Sequence, residues 1–199
     1  MRYAADRKPQ TRQRLLDHAA RALHAQGAHR LGVAAVMREA GLTHGGFYAH
    51  FASRDALLAA AIERMFEQAR DYWREAFAGQ TPAQALRTCI DRYLSPEHRD
   101  GGRLGGCPLP PLAADLPQLP EAARAAYDAG AQRMHEGLRA LIAAHRPGED
   151  AERQALSVRA ELVGALLLAR AQTERGRSDA LLAASREALH VRLGLDPSD

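Results

Sequence analysis

Residues 32–58 read GVAAVMREAGLTHGGFYAHFASRDALL, and the interior stretch Gly41–Phe51, GLTHGGFYAHF, decides the fold. Val33, Val36, Met37 and Ala40 recur at helical spacing, which predicts a short helix over 33–40 with Gly32 as a passable N-cap. Gly41 follows as a helix-ending C′ glycine. Thr43 caps a second short helix over roughly 44–50, so two helices meet at a tight turn with Leu42 as an apolar plug. That is the layout of a helix-turn-helix. The second helix carries an anomaly. Gly45 and Gly46 each cost about 0.8–1.0 kcal/mol of helix propensity relative to Ala, yet an aromatic cluster of Phe47, Tyr48 and Phe51 follows at once. At about 100° per residue, Phe47 and Phe51 fall together and can anchor the helix. Gly45, Tyr48 and Ala49 fall on the far side, so the face left for a partner is nearly bare backbone plus one phenol.

Outward from this segment, the composition favours helix. The chain has 199 residues, 46% apolar and only 5% aromatic, with Ala, Leu, Arg and Glu dominant. Its charge is asymmetric. Residues 1–55 carry nine Lys or Arg against four Asp or Glu, whereas the remaining 144 carry 18 against 20. A basic first quarter points to a polyanionic partner for that part. No apolar leader opens the chain, and the longest apolar run, LVGALLLA at Leu162–Ala169, is eight residues long, too short to span a bilayer. Cys89 and Cys107 form neither a disulfide framework nor a metal pattern. A protein of the cytoplasm, without membrane association, is expected.

The remaining pattern is all-α, with about nine helices. Pro9 can open a first helix, with Leu15, Leu16, Ala19, Ala20 and Leu23 as its apolar stripe and Gly27 as its stop. Ser53 caps a long helix reaching about Ala78, with Asp55 in its favourable first turn. Thr81 and Pro82 start another, to about Leu94. Residues 95–120 hold four glycines and six prolines and read as an ordered crossover with one short helix after Pro108. Helices follow over about 121–145, 149–174 and 179–193, the last after a turn, RGRSD, with Ser178 as cap.

A helix-turn-helix lays its second helix in the DNA major groove, and small residues there let the backbone approach the groove floor. Tyr48 and His50 can hydrogen-bond phosphates, contacts that fix register without reading sequence, and Arg54 is a natural phosphate clamp. No nucleophile elbow, phosphate loop, dinucleotide fingerprint or paired Cys/His spacing is present. An enzyme is not expected, nor are catalytic residues, a metal or a cofactor. A helical partner-binding protein that merely keeps the motif, and an activator rather than a repressor, stay open.

The small–Gly–Leu–Thr turn, the Phe-Tyr-x-His-Phe close and the Ser-Arg-Asp-x-Leu-Leu opening of the next helix resemble the DNA-binding signature of the TetR family of bacterial repressors. The close match covers about 45 residues, from Gln10 to Leu58. The resemblance implies a three-helix DNA-binding domain over residues 1–54. A six-helix effector-binding and dimerisation domain would follow over 55–199. It also implies a homodimeric repressor released from a palindromic operator on double-stranded DNA by a small-molecule effector. Carried over by position, Thr43, Tyr48, His50 and Arg54 would contact phosphates, and His44, Gly45 and Gly46 would lie at the bases. Gly32 departs from the pattern, because relatives often place a phosphate-touching Ser or Thr there. The last two helices would form the dimer interface, with Leu156, Val163, Leu166, Leu167, Leu181, Leu182, Leu189 and Leu193 as apolar face. An effector pocket would draw on Trp73, Phe77, Tyr93, Cys107, Tyr127 and Met134. Each of these is also a good core residue. Cys107, expected at the N-cap of a helix beginning with Pro108 and near Arg103, is a candidate redox or electrophile sensor. Its alternative role is that of a small buried hydrophobe.

Overall fold

In a computed structural model of the chain, residues 7–101 and 106–195 are described. Among them lie nine α-helices, three 3₁₀ segments and no strand. The helices are α1 Arg7–Gln26, α2 Val33–Glu39, α3 Arg54–Ala76, α4 Pro82–Tyr93, α5 Pro96–Arg99, α6 Leu109–Ala113, α7 Glu121–His145, α8 Ala151–Ala171 and α9 Arg175–Leu193. They divide into two compact units. The first takes residues up to Ala69 together with Cys107–Ala131, and the second takes Arg70–Gly106 and 132–199.

The first unit is organised by the stripe that the sequence shows on α1. Leu15, Ala19, Ala20 and Leu23 are fully buried, as are Ala61, Ile62, Met65 and Leu112. Polar ties fix the helices around this core. Asp17 accepts from Arg64 Nε at 2.8 Å and Gln68 Nε2 at 2.9 Å, which holds α1 to α3. Arg14 donates to the Ala40 carbonyl at 2.9 Å, satisfying one of the carbonyls that a helix C-terminus leaves open. Gly130 on α7 lies against the Phe66 ring so closely that a Cβ there would sit 2.2 Å from Phe66 Cδ2. Only glycine permits that approach.

The second unit centres on Leu86, Ile90, Leu94, Ile142, Val158, Leu166 and Leu189, all essentially excluded from solvent. Thr81 and Gln84 form a full capping box at the start of α4, reciprocal bonds that satisfy two otherwise orphaned amides. Arg99 is 8% exposed, and such a charge must be paired. Its guanidinium meets Asp100 at 2.9 Å, Ser178 Oγ at 2.8 Å and the Asp179 carboxylate. Arg175 joins at 2.6 Å from Asp100. Arg99 and Arg175 together hold the Asp100 carboxyl well below the usual range, at about 2.

Four expectations need correction. The helix expected over 44–50 is a 3₁₀ segment, His44–Ala49, because two glycines in its first turn weaken the α-helical alternative. Pro108 is the N-cap of α6 and not its first residue, so Cys107 stands one position before the cap. A short helix, α5, interrupts the crossover, capped by Ser95 Oγ accepting from the His98 amide. Finally, Ser178 is not a cap. α9 begins at Arg175, and Ser178 lies inside it, buried, donating to the Ala169 carbonyl at 2.7 Å. That bond and Arg99 give the hydroxyl partners a sequence pattern cannot show.

Candidate nucleic-acid interface

The turn before the recognition segment is built as its sequence demands. Leu42 N–H donates to the Met37 carbonyl at 2.9 Å and Gly41 N–H to Arg38 at 3.0 Å. This is the double closure of a Schellman motif. Gly41 has φ +72°, a conformation in which a side chain would be strained.

The 3₁₀ segment then presents two different faces. Phe47 and Phe51 are 3% and 4% exposed and stack at 5.7 Å between centroids. Arg12 sits 5.1 Å over the Phe51 ring. Tyr48 is 73% exposed, braced edge-on against Phe47 at 5.3 Å. Gly45, Ala49 and Thr43 are also exposed. The Thr43 carbonyl accepts from Gly46 N–H at 3.1 Å, but its hydroxyl makes no capping bond. His50 is half-buried, and its Nδ1 is buried without a hydrogen-bond partner. The His44 side chain lies outside what the structure describes, as does Arg103.

Gly45 and Gly46 are not required by the fold. Neither has a positive φ. A Cβ at Gly45 would meet nothing within 4 Å, and one at Gly46 would make ordinary contacts of 3.7 Å with Met37 and 3.9 Å with Thr43. Gly45 is exposed with open space where a side chain would be, so it leaves bare backbone on the same outward face as Tyr48, whereas a side chain at Gly46 would start toward the buried Met37.

Arg54 is engaged within the chain, a role that sequence reasoning missed. Its Nε donates to the Leu31 carbonyl and its guanidinium to Ala28, both at 3.3 Å. The expected clamp on phosphate is thus also a clasp on the loop between α1 and α2, with only part of its fork left over. No local signal announces this, since the partners are 23 and 26 residues away.

The six effector candidates divide between the units. Cys107 and Tyr127 belong to the first. Cys107 is 6% exposed, and its Sγ accepts from Leu109 N–H at 3.5 Å. Tyr127 donates to the Leu109 carbonyl at 3.5 Å and packs edge-on to Phe66. Trp73, Phe77, Tyr93 and Met134 belong to the second. Trp73 and Phe77 stack at 5.3 Å, and Tyr93 meets His98 edge-on at 4.6 Å. Burial holds the His98 imidazole below its ordinary pKa. Among the described residues no three His, Cys, Asp or Glu gather as a metal site, and no helix is long and apolar enough to cross a membrane.

The family model for bacterial regulatory proteins of the tetR family matches residues 15–61, and the C-terminal domain model for LmrA/YxaF-like transcriptional regulators matches residues 82–187. The chain belongs to the TetR family. It is a DNA-binding transcriptional regulator and not an enzyme. Solved TetR-family structures share the fold. A regulator from Chloroflexus aurantiacus J-10-fl is 25% identical, with TM-score 0.79, covering 98% of this chain and 97% of that one. One from Cytophaga hutchinsonii is 20% identical, with TM-score 0.79 and coverage of 96% and 98%. The reduced form of E. coli NemR is 22% identical, with TM-score 0.78 and coverage of 90% and 95%. No curated protein matches the chain.

Proposed function

We propose that this TetR-family regulator is a homodimeric cytoplasmic repressor that leaves a palindromic operator when a small molecule binds. Residues 1–54 engage DNA and residues 55–199 carry effector binding and dimerisation. The observation that carries the DNA-docking part is Gly45. It is exposed and keeps a strip of backbone bare that the fold itself does not need bare, as close approach to a groove floor requires. Tyr48 and Thr43 flank the strip with exposed hydroxyls suited to phosphate oxygens, and the positive dipole end of such a segment favours the same anions. On this reading His44, Gly45 and Gly46 lie at the bases. Part of the sequence preference then comes from DNA shape, because few side chains on this face can read base edges.

Pairing through the last two helices is supported by the apolar surface that α8 leaves uncovered. Leu156 is 46% exposed, Leu167 43% and Leu168 58%, with Val163 half-buried beside them. A Cβ on Gly164 would meet nothing within 4 Å, so a second helix can come close there. Leu166, Leu182, Leu189 and Leu193 are spent on the chain's own core, which narrows the dimer face to the exposed set. Two copies would set their recognition segments in successive major grooves, about 34–36 Å apart. Within the second unit, the effector candidates Trp73, Phe77, Tyr93 and Met134 suit a moderately lipophilic molecule. A sensing role for Cys107 is the second mechanism. It draws support from the amide bond to its sulfur and from the likeness to NemR, but its burial favours packing.

Retardation of DNA from upstream of the protein's own gene tests the reading. The expected result is a shifted complex that weakens steeply with salt, as phosphate neutralisation requires. Failure to retard any nearby palindrome at low salt would favour the partner-binding alternative.

A further inference from the structure

The loop joining α1 to α2 is gripped from two sides. From one side Arg54 donates to the Ala28 and Leu31 carbonyls. From the other, Asp115 Oδ2 accepts from the Ala28 amide at 3.1 Å, and Asp115 Oδ1 lies 3.2 Å from His29 Nε2. The Ala28 residue is 1% exposed, so both of its backbone polar groups are buried and both are satisfied by distant side chains. Gly27 completes the fit. Its φ is +75°, and a Cβ there would stand 3.1 Å from Asp115 Oδ2 and 3.9 Å from the Pro111 carbonyl. Two independent features, a glycine with positive φ and a carboxylate 87 residues further along the chain, therefore meet at one peptide.

Asp115 lies in no part of the DNA-facing strip. It follows α6 and is fixed in place by the buried Leu112 and Leu119 on either side of it. Its own carbonyl accepts from the Gln118 amide at 3.0 Å. The loop that it holds leads directly into Gly32 and α2, the first helix of the helix-turn-helix. Arg54, holding the opposite face of the same loop, opens the helix that follows the recognition turn. A displacement of residues 107–119 must pull on Ala28 through a charge-assisted bond, and Ala28 in turn bears on both flanks of the DNA-binding motif.

We propose that Asp115 is a positioning residue for DNA binding: it clamps the loop at Ala28 and His29 and couples the placement of α2 to residues 107–119. This rests on the DNA-docking reading above. By reciprocity, DNA bound at the recognition turn must tighten residues 107–119, which do not touch DNA.

Hydrogen exchange of the full chain tests this, with and without a duplex from upstream of its gene. In the wild type without DNA, the Ala28 amide exchanges slowly. Asp115→Ala speeds it at least about tenfold, the loss expected for a bond to a charged acceptor. With DNA, wild-type amides slow in residues 43–54 and also in 107–119. In Asp115→Ala the slowing in 43–54 remains and that in 107–119 disappears. A merely structural Asp115 would leave the two DNA-induced changes linked. Slowing of 107–119 that persists in the variant, or is missing from a wild type whose 43–54 amides do slow, overturns the coupling. No change in 43–54 overturns the docking reading and the coupling with it. Circular dichroism establishes that the variant is folded. Should Asp115→Ala not fold, Asp115→Asn, which keeps the size and one acceptor but not the charge, is expected to lose part of the 107–119 response. A full wild-type response there also overturns the proposal.

Discussion

Replacing Gly45 by Ala adds one methyl group where the chain has room for it. The φ at this position is not positive, and the new Cβ would find no heavy atom within 4 Å. With no clash in the folded state, the main effect on folding is the smaller conformational entropy of the unfolded chain, about 0.4–1 kcal/mol in favour of the variant. For a chain of this size about 1 kcal/mol moves Tm by roughly 2–4 °C, so the expected rise is roughly 1–4 °C. Binding should move the other way. A methyl group forced between a closely docked backbone and the groove floor is an overpacking change of about 1–3 kcal/mol. At tenfold per about 1.4 kcal/mol, that weakens DNA binding by about 5- to 150-fold. Thermal unfolding followed by circular dichroism gives the first quantity. Fluorescence anisotropy of a labelled duplex at fixed salt gives the second. Affinity equal to or above wild type, in a protein stabilised as stated, refutes the claim that Gly45 is kept small for DNA.

Other consequences test the scaffold. Gly130→Ala drives a Cβ into the Phe66 ring at 2.2 Å, and urea unfolding should show a loss of about 1–3 kcal/mol. Acid stability should depend on Asp100. Its carboxyl is held at about 2 in the folded chain against about 3.9 when unfolded. The unfolded state therefore takes up the proton first as pH falls, and the contribution is intact above about pH 4 and lost on the way to about pH 2. Asp100→Asn should flatten that limb of the stability curve. Cys107, buried against its own helix start, should react with a thiol reagent at pH 7 more slowly than a free thiol. Faster labelling that also weakens DNA binding would revive its sensing role.

The parts of this protein legible in the sequence are those whose causes are local. Gly41 needs a left-handed φ to close α2, and Thr81 with Pro82 opens α4, so both are read from adjacent residues. The outward and inward faces of the recognition segment were legible for the same reason: the side chosen for Phe47 and Phe51 is the buried one. Its 3₁₀ form was not, because propensity shows that Gly45 and Gly46 weaken an α-helix without saying what replaces it. Ser178 reads as a cap because serine before a helical run is the usual one, while the Arg99 cluster that it joins is 79 residues away. Arg54 and Asp115 were beyond sequence reasoning on the same principle, since each acts on a loop remote in the chain.

Hydroxyl-radical footprinting of the retarded upstream fragment distinguishes a docked dimer from every other mode of binding. Two protected patches are expected on one face of the duplex, about one helical turn apart and related by a two-fold axis, both lost on raising the salt. A single patch, protection without symmetry, or no protection at a concentration that retards the fragment would contradict it.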